Sequence, residues 1–415
     1  MPGIIDKAVV VCPGPDVPEA GVLGVRVAGV PLLLRVLLTA ERAGIQRFTV
    51  VASGPQQGAL RGQLDGVPRL RGRVQWLEPK AVAGSHLARS LVLTPWAVLD
   101  PGALRRWLLR VADVGSVATA ADAGHGPLAV PAPFLSACIE AALHGQSGLK
   151  AFLEMLEGDR RLARVPWEGM RPWPVRSPHE LPAIERAMLA GLRSPEDGPL
   201  VDRYVNRAAS GRLTRAIVAS SVTPNQVTLA SLLTGLLGAW LLGSEGVVST
   251  LGGLVLFQLS VVLDHVDGEV ARLKLLFSPL GRWLDNVSDH LVDLSVIAML
   301  AWRAAEERTA GHFAVLGLAA AVGVTGAFLV VFWWSVAGTP RTVRTTTLAR
   351  ILARVLAALA NRDGFCLALW VTLLMDRATW FLWALALGAN AYWAVWLLIY
   401  GVPRRAPAVV ERATV

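Results

Sequence analysis

The chain has 415 residues, 53% of them hydrophobic, with a formal net charge of +9 and a mean hydropathy of +0.48. That hydropathy excludes an ordinary soluble enzyme, and the length leaves room for two or three domains. Lys and Arg sit beside apolar runs rather than on one basic-aromatic stretch, which argues against a nucleic-acid partner and for an anionic membrane surface.

The first half, up to about residue 220, reads as soluble αβ sequence with charges throughout. Its opening segment looks like a first strand rather than a secretory signal, because the apolar run is short and Asp6 interrupts it. Buried strands are expected at 8–12, 48–52, 91–93 and 98–99, and helices at 31–43, 101–111 and 181–192. Alternation of this kind implies a mainly parallel sheet with crossover helices. Cys12, Cys138 and Cys366 are too widely spaced to form a metal-ligand or disulfide framework. A Pro/Trp-rich stretch at 166–178 and a Pro/Gly linker from Ser194 close this domain at about residue 193.

Residues 200–220 set Arg203, Arg207, Arg212 and Arg215 against Leu200, Tyr204, Leu213, Ile217 and Val218, the pattern of a basic amphipathic helix on a membrane surface or of a soluble connector. Six apolar runs follow, at 227–242, 247–263, 284–301, 313–336, 365–375 (extended by a helix at 351–360) and 379–400. Arg341, Arg344, Arg350, Arg354, Arg362, Arg404 and Arg405 crowd the connections at one side, which by the positive-inside rule is cytoplasmic together with the N-terminal domain. The organisation expected is an α/β N-terminal domain (1–193), a linker and interfacial helix (194–223), an all-α six-helix transmembrane domain (224–405) and a tail (406–415).

Two carboxylate clusters interrupt these apolar runs: Asp264-His-Val-Asp267-Gly268-Glu-Val-Ala271-Arg272 and Gly281-Arg-Trp-Leu-Asp285-Asn-Val-Ser-Asp289. Ionised groups at bilayer depth cost several kcal/mol each unless partnered. Residues three or four apart share a helix face, so Asp264, Asp267 and Ala271 line one stripe and Gly281, Asp285 and Asp289 another. Two such helices face to face surround a pocket for one or two hard cations. Gly268, Ala271 and Gly281 leave room there, and Arg272 suits phosphate. Asp289 is the deepest of the four, a natural general base beside the metal.

This pattern, Asp-x2-Asp-Gly-x2-Ala-Arg-x8-Gly-x3-Asp-x3-Asp, resembles the signature of the CDP-alcohol phosphotransferases, and Thr223-Pro224-Asn225-Gln-Val-Thr228 is similar to the segment that opens their first span. The resemblance covers roughly residues 197–405 and implies a six-helix membrane fold, usually a homodimer, with a cytoplasm-facing site and two Mg2+ or Mn2+ ions. It implies that Asp264, Asp267, Asp285 and Asp289 hold metal, with Asp289 also the base, and that Asn225, Gly268, Ala271, Arg272 and Gly281 surround the cytidine and diphosphate. Arg362 resembles a polar position of relatives that holds an acceptor phosphate, or it is a topology-setting cation; Asp293 touches the acceptor or makes a polar interhelix contact. His265 and His290 are expected as supporting or surface groups. The donor implied is CDP-diacylglycerol or a CDP-inositol-like polyol, in phospholipid or polyol-phosphate synthesis. A catalytically silent membrane scaffold, or a nucleotide-binding regulatory protein, is the alternative.

The N-terminal segments 8–14, 29–36 and 43–51 resemble a sugar-phosphate nucleotidyltransferase, a domain found fused to transferases that make inositol-phosphate compounds. The departures are telling. Pro13 and Pro15 remove backbone donors from the phosphate loop, Val30 replaces a lysine, and Pro95-Trp96 and Pro174-Val-Arg176 stand where metal-binding acids belong. The expectation is a degenerate nucleotidyltransferase-like domain without chemistry of its own.

Overall fold

The computed structural model describes residues 5–14, 16–64, 67–82, 88–120, 126–192, 205–307, 310–337 and 362–400. The N-terminal part is built on a seven-stranded sheet: β1 (Lys7–Val11), β2 (Arg47–Val51), β3 (Val74–Leu77), β4 (Ser90–Leu93), β5 (Val117–Ala120), β6 (Leu128–Val130) and β7 (Leu162–Val165), in the spatial order β7-β5-β6-β4-β1-β2-β3. Central strands such as Lys7-Ala-Val-Val-Val are apolar almost throughout because helices cover both faces. Ala8 pairs with Phe48 on one side and Leu91 on the other, in parallel register.

The sheet is mainly parallel, with one exception. β6 runs antiparallel to both β4 and β5. Only seven residues separate Ala120 from Leu128, too few for a parallel crossover. The strand expected at 98–99 is a short ribbon outside the sheet, Ala97–Val98 paired antiparallel with Trp173–Pro174. The Pro/Trp-rich stretch therefore belongs to this domain.

Helices α1 (Leu32–Ala43), α2 (Gly54–Arg61) and α3 (Pro101–Val111), with α4 (Ala132–Leu143), α5 (Gly145–Gly158) and α6 (Leu181–Gly191), complete the domain. Alternation along β1 sends Ala8, Val10 and Cys12 into one core cluster, with Leu33, Leu37 and Trp107. Val9 and Val11 go into the other, with Leu135, Ile139 and Phe152.

The second part opens with α7 (Arg207–Ile217). Its buried face is small and polar, Ser210, Gly211 and Thr214, whereas Leu213 is exposed. The first turns of the amphipathic segment, 200–204, and the rest of the linker lie outside the described residues, as do the expected helix at 351–360, the basic connection before Arg362 and the tail. Helices α8 (Pro224–Leu242), α9 (Val247–Lys274), α10 (Pro279–Glu307), α11 (Ala310–Ala337), α12 (Arg362–Leu374) and α13 (Ala378–Tyr400) follow.

A capping box starts α8: the Thr223 backbone N–H donates to Gln226 Oε1 at 2.9 Å, with Pro224 at the first helical position. α8 and α9 then approach closely through glycine. A Cβ on Gly238 would lie 2.9 Å from the Phe257 backbone nitrogen and 3.1 Å from the Gly253 carbonyl.

Of these six helices, four are long and apolar enough to cross a bilayer: α8, α9, 311–330 of α11 and 378–398 of α13. The six-span expectation is met to that extent. α10 has the length, but Asp285, Asp289 and Asp293 dilute its apolar character. α12, with 13 residues, reaches only about 20 Å. Leu233, Trp240 and Val255 point outward and exposed, as lipid-facing side chains do.

Candidate functional site

α9 reaches 28 residues because its apolar run continues into the first carboxylate cluster without a break. The helix ends at Leu275, in the left-handed region at φ +58, and Leu276 N–H donates back to the Ala271 carbonyl at 2.9 Å. After a four-residue link α10 begins at Pro279, so that the two clusters lie on neighbouring helices.

The expected stripes face one another. One carboxylate oxygen from each of Asp264, Asp267 and Asp285 lies within 4.8 Å of the other two. Asp267 is almost fully buried at 3% exposure, and Asp285 Oδ1 is buried without a hydrogen-bond partner. Three carboxylates so close, at a helix end inside apolar surroundings, repel strongly unless a cation lies among them. Hard oxygen donors of this kind fit Mg2+ or Mn2+.

Asp289 stands outside this trio. Its carboxylate is paired with Arg362 at the start of α12, and the same guanidinium lies 3.5 Å from Asp264 Oδ2. Arg362 thus faces the carboxylates themselves, an arrangement that neither of its two expected roles described. Asp293, one turn beyond Asp289, has a buried Oδ1 without a hydrogen-bond partner.

The smaller expected positions meet in two pairs, Gly268 with Arg272 and Gly281 with Asn225. A Cβ on Gly268 would lie 3.3 Å from an Arg272 guanidinium nitrogen, so the missing side chain makes room for that cation. A Cβ on Gly281 would meet Asn225 Oδ1 at 3.2 Å, which places Asn225 and Gly281 side by side. Asn225 and Arg272 are exposed, and Ala271 is half-buried. The histidines divide. His265 Nδ1 is 3.7 Å from Asp264 Oδ2. His290 turns away, stacked on Phe328 with ring centroids 4.5 Å apart and 3.2 Å from Thr325 Oγ1.

Two features escaped the sequence reading. Thr228 Oγ1 of α8 donates to Asp267 Oδ2, although the threonine stands in the quoted opening motif. Lys274, the last residue of α9, is turned away from the carboxylates: its Nζ donates to the Ser220 and Val222 carbonyls at 2.7 Å each.

In the N-terminal domain the loop after β1 is already occupied by protein. Gly14 N–H donates to the Leu143 carbonyl at 2.9 Å, and Gln56 Nε2 donates to the Pro13 carbonyl at 2.9 Å. Trp96 is buried at 1% exposure among Val27, Leu32, Val98, Val175 and Ile184. Burial pushes the Cys12 thiol up to about 12, which excludes it as a nucleophile near neutral pH.

Residues 221–387 match the CDP-alcohol phosphatidyltransferase family. Among curated proteins the chain is 35% identical over 156 residues to the bifunctional IPC transferase and DIPP synthase of Thermococcus kodakarensis, covering 36% of this chain and 34% of that protein. It is 43% identical over 75 residues to the archaetidylinositol phosphate synthase of Aeropyrum pernix, covering 18% and 36%. The chain thus spans about a third of the length of these relatives. Among solved structures, a nucleotidyl transferase from Methanothermobacter thermautotroptrophicus is similar at 20% identity and a TM-score of 0.29, covering 39% of this chain and 87% of that one.

Proposed function

We propose that this chain, which carries a CDP-alcohol phosphatidyltransferase domain over residues 221–387, is an integral membrane enzyme that moves a substituted phosphate from a CDP-alcohol to an acceptor alcohol and releases CMP. The observation that carries the reading is the trio Asp264, Asp267 and Asp285, drawn from two helices, with oxygens within 4.8 Å. Such a group inside apolar helices needs a cation, and the spacing that builds it is the one the family uses.

Asp264, Asp267 and Asp285 hold Mg2+ or Mn2+, with Asp289 at a second ion. Bound there, the metal neutralises the diphosphate and the departing CMP. The chain's own residues do the rest. Asn225, Gly268, Ala271, Arg272 and Gly281 receive the cytidine and diphosphate at the mouth. Asp289 takes the proton from the acceptor hydroxyl as its oxygen bonds to the β-phosphorus, and the bond from that phosphorus to CMP breaks. Arg362, released from Asp289, and Asp293 face the acceptor.

The donor is CDP-diacylglycerol or a CDP-inositol-like polyol, and the named relatives favour inositol-phosphate chemistry. The working unit is a homodimer, with the N-terminal domain and the site in the cytoplasm. That domain is a degenerate nucleotidyltransferase without turnover, a reading supported by its proline-interrupted loop and by Trp96.

Membranes containing the protein are incubated with labelled CDP-diacylglycerol or CDP-inositol, a panel of acceptors, and Mg2+ or Mn2+. Metal-dependent CMP formation, abolished by Asp289→Asn, is the expected result. Turnover retained in that variant refutes the role of Asp289, and no CMP from any pair favours a silent scaffold.

A further inference from the structure

The residues that join α9 to α10 are gripped by the N-terminal domain. Carbonyls at alternate positions 273, 275 and 277 each accept from one arginine of that domain. Arg35 Nη2 donates to Leu273 O at 2.6 Å, Arg42 Nη2 to Leu275 O at 3.2 Å, and Arg69 to Phe277 O. Arg35 and Arg42 are seven residues apart on α1, hence on one face. Arg42 also lies over the Phe277 ring, 4.2 Å from its centroid.

Arg35 is 2% exposed. Burial pulls its pKa down to about 10, with Glu185 opposing the shift, so it is still a cation at neutral pH. Burying a guanidinium is costly, and here the compensation includes the negative end of the α9 dipole.

Leu275 adds a second kind of anchor. It holds a left-handed conformation that leucine disfavours, φ +58, and strain of this kind persists only where the surroundings impose it. Its side chain, 5% exposed, joins the core cluster of the N-terminal domain that includes Leu37, Leu38 and Leu70. The link between two membrane helices is therefore packed into the interior of a different domain.

We propose that the N-terminal domain is a positioning clamp on residues 273–277, with Arg35, Arg42, Arg69 and Leu275 as its contacts, and that it sets the separation of the two carboxylate-bearing helices required for metal binding. The link lies between Asp267 and Asp285, so a shift in it changes the distance between the halves of the trio. The clamp assigns work to a domain whose own chemistry is degenerate, and it rests on the metal site proposed above.

The test uses the full-length protein in nanodiscs and reads Mn2+ affinity by electron paramagnetic resonance, without turnover. Leu275→Gly separates the two explanations of this residue. Glycine suits the left-handed helix cap, so a purely local role predicts unchanged Mn2+ binding, whereas the clamp predicts a dissociation constant raised about tenfold, as when a supporting contact of a metal ligand is lost. Arg42→Gln with Arg69→Gln, at the more exposed rim, is expected to act in the same direction, with partial recovery in the lysine pair. Wild-type Mn2+ affinity in both folded variants overturns the clamp, even if their melting temperatures fall. A wild-type protein that binds Mn2+ but forms no CMP refutes the proposed reaction and leaves the clamp to be decided by the affinities. A wild type that binds no Mn2+ overturns both.

Discussion

Replacing Thr228 by valine tests whether the carboxylate trio works as a metal site. The threonine is 4% exposed and Asp267 is 3% exposed, and their contact runs from the Thr228 hydroxyl to Asp267 Oδ2. Valine keeps the volume and the β-branch, so no cavity opens and α8 still packs on α9. What disappears is one hydrogen bond to a charged group, about 1.5–3 kcal/mol, leaving a buried carboxylate oxygen without its donor. Partners that orient a metal ligand are worth roughly 10–100-fold in metal affinity, a range that this energy matches at about 1.4 kcal/mol per factor of ten. CMP release is followed against Mg2+ concentration for wild type, Thr228→Val and Thr228→Ser. Half-saturation is expected to shift upward at least about tenfold in the valine variant and little in the serine one. An unchanged Mg2+ dependence in Thr228→Val would mean that Asp267 is not a ligand, and the site would have to be rebuilt.

Arg362→Gln removes the half-buried cation that faces Asp289 and Asp264; a hydrogen bond to a charged group is worth about 1.5–3 kcal/mol. Its melting temperature is expected to fall without metal and to recover more than that of wild type when Mn2+ is added, and equal metal-induced shifts would refute the placement. Gly238→Leu sets a side chain where a Cβ already lies 2.9 Å from the Phe257 backbone, so overpacking of about 1–3 kcal/mol is expected in thermal unfolding. Cys12 and Cys138, both pushed up to about 12 by burial, hold only about one part in ten thousand as thiolate at pH 8. Mass spectrometry after brief maleimide treatment should find them unlabelled in the folded protein and labelled in denaturant. Rapid labelling of the native protein would place them nearer the surface.

Helical periodicity explains how much of the site was legible. Asp264, Asp267 and Ala271, like Gly281, Asp285 and Asp289, are spaced by three or four, and that spacing sets a shared face whatever the rest of the chain does. Glycine and proline marked the ends of elements equally locally: Thr223-Pro224 begins α8 where its capping chemistry says it should. β6 is not among the strands expected from sequence: three residues carry too short a pattern, and its direction depends on the partners it finds.

The sequence by itself determined the two-part architecture, the membrane character and the identity of the acids, since hydropathy, strand alternation and i,i+4 spacing are properties of neighbouring residues. Tertiary structure alone decided what those acids meet. Thr228 reaches Asp267 from 39 residues away, and Arg362 closes on Asp289 from another helix altogether. Arg35 crosses 238 positions to the end of α9. Such contacts depend on which helix packs against which, and charge pairing acts through space without regard to the order of the chain. No period in the sequence encodes a guanidinium buried on a carbonyl of another domain.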